Sequence, residues 1–264
     1  MHRDLKRGLL FETAAEKYER FRPSYAQGVV DRLVAAAGLS PGSRVLEIGC
    51  GTGKATRLFA PKGFRMDCVD LGTQLVAIAQ AICKPWPDVR FTVSKVEDVP
   101  LEAGAYNLVF SAQAFHWIDP ATRWKRCHDA LAPGGTMALL YNWEVRPSEG
   151  PQWELSELIK KLSNDAMPVR NHEEELQDWI GEMTASGLFT APQTIREKWI
   201  RRYDFESYMG TFETYSDHMV LGPKVQADIR EAIGDAIRKN GGVWEAEFET
   251  VAIHARKAVG AVSP

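Results

Sequence analysis

Val45-Leu46-Glu47-Ile48-Gly49-Cys50-Gly51-Thr52-Gly53 decides how this chain is read. A short apolar run carries one acidic residue and gives way to three glycines at alternate positions, and a periodic segment from Lys54 to Ala60 follows directly. That order describes a buried strand that breaks into a tight turn and opens a helix. Glycine serves where the backbone takes a positive φ, or where a ligand must approach without meeting a Cβ. The helix behind such a turn presents free N–H groups to anionic or polar atoms. A second apolar run, Cys68-Val69, ends in Asp70 about 20 residues on, where a carboxylate meets a ribose diol at the tip of the neighbouring strand. The first half of the chain is therefore expected to hold a ligand of adenosine type.

Two better-known glycine patterns fail. The dinucleotide pattern G-x-G-x-x-G needs glycine at its sixth position for close helix packing over a pyrophosphate, and Lys54 stands there. The P-loop spacing is absent too, because Ala55 follows Lys54 and the earlier glycine is missing. What remains is E-x-G-x-G-x-G.

Downstream, Val89 to Val93 reads as a third strand, Ala105 to Ser111 as a fourth and Thr136 to Tyr141 as a fifth. Pro120 to Leu131 has helical spacing, and Ala132-Pro133-Gly134-Gly135 breaks the chain before the fifth strand. Strands alternating with helices imply a doubly wound, mostly parallel sheet. Trp153 to Met167 and Glu173 to Ser186 read as helices inserted before the next strand, Thr194 to Tyr203. Pro223 to Lys239 is an amphipathic helix with Val225, Ile229, Ile233 and Ile237 on one face, and Trp244 to Ala258 suits a final strand.

The E-x-G-x-G-x-G turn resembles motif I of the class I S-adenosylmethionine (SAM) methyltransferases. The later signals follow that family's order: Glu97-Asp98-Val99-Pro100, the strand Asn107 to Ser111, Gln113-Ala114-Phe115-His116-Trp117, and Leu131-Ala132-Pro133-Gly134-Gly135. Together with Tyr18-x-x-x-Arg22-Pro23-Ser24-Tyr25, the Q-A-F-H-W segment resembles the small-molecule methyltransferases grouped with trans-aconitate methyltransferase. The resemblance covers about residues 40 to 142 and implies a Rossmann-like α/β fold. Its seven strands form a mostly parallel sheet with an antiparallel end. It divides a single domain into an N-terminal helical cap (1–40), a SAM-binding core (41–143), a helical lid insertion (144–193) and C-terminal elements that complete the sheet (194–264).

The resemblance also implies site residues. On the cofactor side stand Tyr18, Arg22, Glu47, Gly49, Cys50, Gly51 and Gly53, with Glu47 beside the amino end of SAM. Asp70 and Leu71 follow, then Glu97, Asp98 and Val99, then Ser111 and Gln113. Either Glu97 or Asp98 faces the adenine, with Asp98 favoured over Glu97, because Lys95-Val96-Glu97-Asp98 departs from the family's small-residue pattern. The fourth strand departs as well, with Asn107 where the family has an acidic residue. The expected substrate wall is Tyr25, His116, Trp117, Tyr141, Asn142, Trp143, Arg146, Tyr208 and Phe212. Methyl transfer from SAM would leave S-adenosylhomocysteine (SAH) as a product.

The chemistry follows from the sulfonium methyl of SAM, which a nucleophile attacks in line, so alignment carries most of the catalysis. A carboxylate acceptor needs no base but needs a cation, Arg22 or Arg146. A hydroxyl, phenol or amine acceptor makes His116 the candidate base. O-methylation of a carboxylate or hydroxyl is the leading expectation, with N- or C-methylation of a small natural product as the alternative. A non-catalytic SAM-binding regulator and a nicotinamide oxidoreductase are the rival classes. Each residue also has a plain structural role open to it. Asp70 can cap a helix, His116 can be a packing residue, and the aromatics of 203–219 can be lid core rather than substrate wall.

Bulk properties exclude other classes. The chain has 264 residues and a net charge of -3, with 32 Lys and Arg against 35 Asp and Glu. No basic excess attracts nucleic acid or an anionic membrane. No apolar run approaches the length of a membrane span, and the Leu9-Leu10-Phe11 patch is too short for a secretory segment. Cys50, Cys68, Cys83 and Cys127 show no C-x-x-C pairing, and the six histidines show no metal-ligand spacing. Reduced thiols, a cytoplasmic setting, no metal and a small-molecule partner are expected, and oligomeric state is left open.

Overall fold

The computed structural model describes residues 13–167 and 171–258. Met1 to Glu12, which hold the Leu9-Leu10-Phe11 patch and the first part of the 1–40 cap, lie outside the described residues, as does 168–170 of the 144–193 insertion. Seven strands form one sheet in the order β3-β2-β1-β4-β5-β7-β6. They are β1 (Arg44–Ile48), β2 (Arg65–Asp70), β3 (Val89–Val93), β4 (Tyr106–Ala112), β5 (Leu131–Val145), β6 (Gln193–Tyr203) and β7 (Trp244–Arg256). The first five run parallel, and β7 pairs antiparallel with both β5 and β6. The chain order reverses at β1 and β4, so a crevice opens beyond their C-terminal ends, where open α/β sheets bind ligands.

The helices are α1 (Ala15–Phe21), α2 (Gln27–Ala36), α3 (Thr56–Phe59), α4 (Thr73–Cys83), α5 (Arg123–Ala130), α6 (Pro151–Leu162), α7 (His172–Ala185), α8 (Phe205–Phe212), α9 (Ser216–Met219) and α10 (Pro223–Lys239). Central strands bury both faces, as near-continuous apolar runs require. Val45, Leu108, Phe110, Ala138 and Leu140 face Val29, Val30, Leu33 and Phe59 on one side. Leu46, Val109, Met137 and Leu139 face Trp124, Trp179 and Met183 on the other. A third cluster joins α6, α8 and α10 to the ends of β6 and β7 through Ile159, Met209, Phe212, Ile229, Ile233 and Phe248. Among the described residues no helix is long and apolar enough to cross a membrane. All four cysteines are buried free thiols.

Two elements differ most from the sequence expectation, β5 at both ends and α6 at one. β5 begins at Leu131 rather than Thr136, because Leu131 already pairs with Tyr106 before the register jumps to Leu108–Thr136. The Ala132–Gly135 turn is thus a bulge within a strand. Gly135 is required there, since a Cβ would lie 2.9 Å from the carbonyl oxygens of Ala132 and Tyr106. β5 also runs on past Tyr141, because Asn142 to Val145 pair with Thr250 to Glu247 of β7. The helix expected to reach Met167 stops at Leu162, and Asn164 and Asp165 take left-handed backbone (φ 50° and 60°). Asn and Asp tolerate that conformation better than other side chains and so end the helix.

Candidate active site

A cavity of about 340 Å³ occupies the crevice. One end is walled by the glycine turn after β1 (Gly49, Gly51, Lys54), the tip of β2 (Asp70, Leu71, Gly72) and the segment after β3 (Ser94, Lys95, Val96, Glu97). The other end is walled by the tip of β4 (Gln113, His116, Trp117), the extension of β5 (Tyr141 to Glu144, Arg146) and side chains of α6 to α9. Tyr18 of α1, with Arg22 and Tyr25 just beyond it, lies along the wall as well.

The three glycines have different reasons for being glycine. All take positive φ, at 75° for Gly49, 53° for Gly51 and 81° for Gly53. A Cβ at Gly49 would sit 2.2 Å from the Cβ of Ala114, so this position is closed by packing against the β4 tip. A Cβ at Gly53 would meet Ala79 at 3.3 Å and Cys83 at 3.6 Å, both in α4. Only Gly51 opens onto free space, with nothing within 4 Å of an added Cβ. A ligand-approach role fits Gly51; Gly49 and Gly53 are needed for strand and helix packing.

Asp70 ties the turn together. Its Oδ2 accepts from the N–H of Gly51 and its Oδ1 from the N–H of Gly72, each at 2.8 Å.

Glu47 does not reach the cavity. It is fully buried, its Oε2 accepts from Thr56 Oγ1 at 2.5 Å and from Cys68 Sγ at 3.7 Å, and its Oε1 has no partner. Burial pushes this carboxyl up to about 8, against the lowering effect of the Thr56 and Cys68 hydrogen bonds. A protonated acid beneath the turn is a different element from the ligand-holding carboxylate expected there.

Other placements sharpen the expected set. Glu97 lines the cavity, while Asp98 is exposed and does not; Glu97 Oε1 also accepts from the N–H of Asp119 at 3.1 Å. Val99 and Cys50 lie outside the wall. Ser111 is buried and donates to the carbonyl of Ile48 at 2.7 Å, which bridges β4 to β1. Gln113 faces the cavity from a left-handed backbone (φ 54°), and its Nε2 donates to the carbonyl of Asn142 at 2.5 Å.

The expected substrate wall, Tyr25, His116, Trp117, Tyr141, Asn142, Trp143, Arg146, Tyr208 and Phe212, does come together on the cavity. Tyr141 stacks on Trp143 (centroids 5.0 Å apart, 11° between planes), and Trp143 stacks on His172 (5.2 Å, 10°). The hydroxyl of Tyr141 is buried without a partner, and burial pushes its pKa well up. The Asn142 amide is engaged: Nδ2 donates to the carbonyl of Ser24 at 3.2 Å and Oδ1 accepts from Thr250 Oγ1 at 2.7 Å. Arg22 is engaged as well, through Nε and Nη2 to Thr214 at 2.7 and 2.9 Å, with its guanidinium 4.3 Å over the Tyr215 ring. The late aromatics divide: Tyr203 joins the core only, Phe212 both core and wall, and Tyr208 and Tyr215 line the wall while packing against the same core.

Sequence reasoning missed Lys54, Glu144, His172, Glu175 and Asp217, all on the cavity. Glu144 and Lys54 stood beside residues already singled out and were within reach of the motif. The other three come from segments whose fold over the crevice no local pattern specifies. Burial pulls the Lys54 ammonium down to about 8 despite Glu19 beside it, and burial raises the Glu144 carboxyl.

Comparison with known proteins agrees with this geometry. Residues 45–135 match the family described as methyltransferase domain. An uncharacterized methyltransferase of Mycobacterium tuberculosis is 30% identical over 214 residues, which cover 74% of this chain and 84% of that protein. The fold is similar to a putative type II methyltransferase from Anaeromyxobacter dehalogenans, with a TM-score of 0.63 at 24% identity, covering 89% of this chain and 98% of that one. It is also similar to Haemonchus contortus phosphoethanolamine N-methyltransferase 2 solved with SAH, with a TM-score of 0.54 at 17% identity, covering 97% and 59% of the two chains. With a seven-stranded sheet of this order, a glycine turn facing Asp70 and relatives of this kind, the chain belongs to the class I SAM-dependent methyltransferases.

Proposed function

We propose that this enzyme moves the SAM methyl group to an oxygen of a small acceptor, a carboxylate held by Arg146 or a hydroxyl deprotonated by His116. One observation carries the proposal: a single cavity joins Gly51, Asp70 and Glu97 at one end to His116 and Arg146 at the other. SAM, once bound, supplies an electrophilic methyl carbon on a sulfonium. Gly51 gives the adenosyl group room, Asp70 accepts from its ribose hydroxyls, and Glu97 stands toward the adenine. From the expected cap Tyr18, Arg22 and Tyr25, and from the expected lid Ser156, Ile159, His172 and Glu175, cover the ligands. Trp117, Tyr141, Trp143 and Phe212 remove water from the nucleophile, which strengthens every charge interaction in the site. At the acceptor end Arg22 spends two donors on Thr214, whereas Arg146 has no hydrogen-bond or ion-pair partner among the described residues. Arg146 is therefore the better placed of the two expected cations.

A second reading, transfer to nitrogen, draws on Glu144. This carboxylate lines the same end without a hydrogen-bond partner among the described residues and would favour an amine. The two readings separate by assay. Purified protein is incubated with methyl-labelled SAM and a panel of small carboxylic acids, phenols and amines, and the methylated atom is identified by mass spectrometry. With a carboxylate, Arg146→Gln raises KM by about tenfold or more while kcat holds. With a hydroxyl, His116→Ala lowers kcat by about 10²–10⁴ and removes the rise of rate with pH. Methylation of amines alone would overturn the oxygen reading.

A further inference from the structure

Glu19, a residue outside the expected site, is where the glycine turn converges. It projects from α1, one residue after the cavity-lining Tyr18. Its Oε2 accepts from Thr52 Oγ1 at 2.6 Å, and its Oε1 from Arg57 Nη1 at 2.8 Å. Lys54 Nζ donates to the Glu19 main-chain carbonyl at 2.7 Å and lies 3.5 Å from Oε2. Thr52 and Lys54 are buried, and the Glu19 and Arg57 side chains keep only 21% and 25% of their exposure. A solvent-exposed ion pair gains little because its long side chains must be held in place against entropy and water. Here packing already fixes the partners, and one carboxylate gathers Thr52 and Lys54 from the turn and Arg57 from the helix behind it.

The other side of α1 is fastened to the acceptor end. Phe21 fills the space left by Gly210 of α8, where a Cβ would sit 2.4 Å from its ring. Thr211 Oγ1 donates to the Phe21 carbonyl at 2.8 Å, Lys17 pairs with Glu213 at 2.8 Å, and Arg22 holds Thr214. α1 is thus a bridge: Glu19 grips the turn, Phe21 grips α8, and Lys17 with Arg22 just past α1 grips Glu213 and Thr214 just past α8.

We propose that Glu19 is a positioning residue that latches α1 across the glycine turn, so that the cofactor is exchanged only when Thr52, Lys54 and Arg57 let go of it. This rests on the reading of the cavity as the SAM site. The Glu19 carboxylate touches no ligand in this role; it acts through the turn that does.

The test is the dissociation rate of SAH from the full chain, measured by chasing radiolabelled SAH with excess unlabelled SAH. Glu19→Ala should speed release by on the order of tenfold, and Glu19→Gln, which keeps an acceptor but no charge, by less. Arg57→Gln should speed release alone but add little in the Glu19→Ala background, because both changes break the same latch. Should Glu19→Ala not fold, Thr52→Val removes the latch from the turn side and should also speed release. Wild-type release from Glu19→Ala, or from Thr52→Val in its place, or additive effects of Glu19→Ala and Arg57→Gln, would overturn the latch. Failure of the wild-type chain to bind SAH would instead overturn the cofactor site itself.

Discussion

The N–H of Gly51 donates a 2.8 Å hydrogen bond to Oδ2 of Asp70, which fastens the glycine turn to the tip of β2. The residue proposed to hold the ribose is thus also the residue that shapes the turn. Asp70→Ala should weaken SAH binding by about ten- to hundredfold, through lost charge-assisted hydrogen bonds of roughly 1.5–3 kcal/mol. It should also lower Tm, because the N–H groups of Gly51 and Gly72 lose their acceptor. Calorimetry and thermal melts read the two effects apart. A lower Tm with affinity changed less than twofold would leave Asp70 with the turn alone.

Gly49 and Gly51 should fail differently when substituted. Gly51→Val puts its side chain into the cavity, at a cost of roughly 1–2 kcal/mol for the left-handed backbone, and should abolish SAH binding in a folded protein. Gly49→Ala meets Ala114 at 2.2 Å and should destabilise the fold by about 1–3 kcal/mol or more. Adding Ala114→Gly to Gly49→Ala should restore part of the Tm. Unchanged SAH affinity in Gly51→Val would sink the cofactor end of the site.

Glu47 sets a pH dependence of stability. Its folded pKa is raised to about 8, so the folded state keeps a proton that the unfolded chain releases in the ordinary glutamate range. Stability from this group is full below that range and declines as pH rises toward about 8, by at most ~1.4 kcal/mol per pH unit. Glu47→Gln, a neutral isostere, should flatten the profile between pH 5 and 8, as Tm measured across that window would show. Parallel wild-type and mutant profiles would mean that Glu47 is ionised in the folded protein.

Gln113 holds a left-handed backbone that glycine adopts without strain. Gln113→Gly should therefore leave Tm level or slightly raised, since strain relief offsets the greater freedom of the unfolded chain. It should weaken SAH binding about three- to tenfold, the effect of one lost hydrogen bond and its anchor on Asn142. Full affinity in Gln113→Gly would make the conformation a matter of the β4 turn only.

Much of the molecule was legible in the chain, for reasons visible in single residues. The run Val45 to Ile48 is apolar apart from Glu47 because β1 is covered on both faces, and the break at Gly49 follows from backbone angles no other residue takes easily. The amphipathic stripe of Ile229, Ile233 and Ile237 gave α10 from Pro223 to Lys239 without help from the rest of the structure. The length of β5 was not legible, because Asn142 to Val145 are strand only by virtue of pairing with β7, about a hundred residues later. Nor was the end of α6, which Asn164 and Asp165 set by leaving the helical region.

The sequence by itself determined the strand–turn–helix beginning, the alternation of strands and helices, and the residue types available to a SAM site. These are local matters of periodicity, backbone freedom and side-chain chemistry. Only the tertiary structure decided which of those residues face the cavity. Gly51 opens to the cavity while Gly49 abuts Ala114, Glu97 turns inward while Asp98 faces water, and Glu47 is sealed under the turn. The grip of Glu19 on Thr52, Lys54 and Arg57 spans 33 to 38 residues of chain. Such choices depend on what packs across the gap from a distant part of the chain, and a pattern read a few residues at a time carries no record of it.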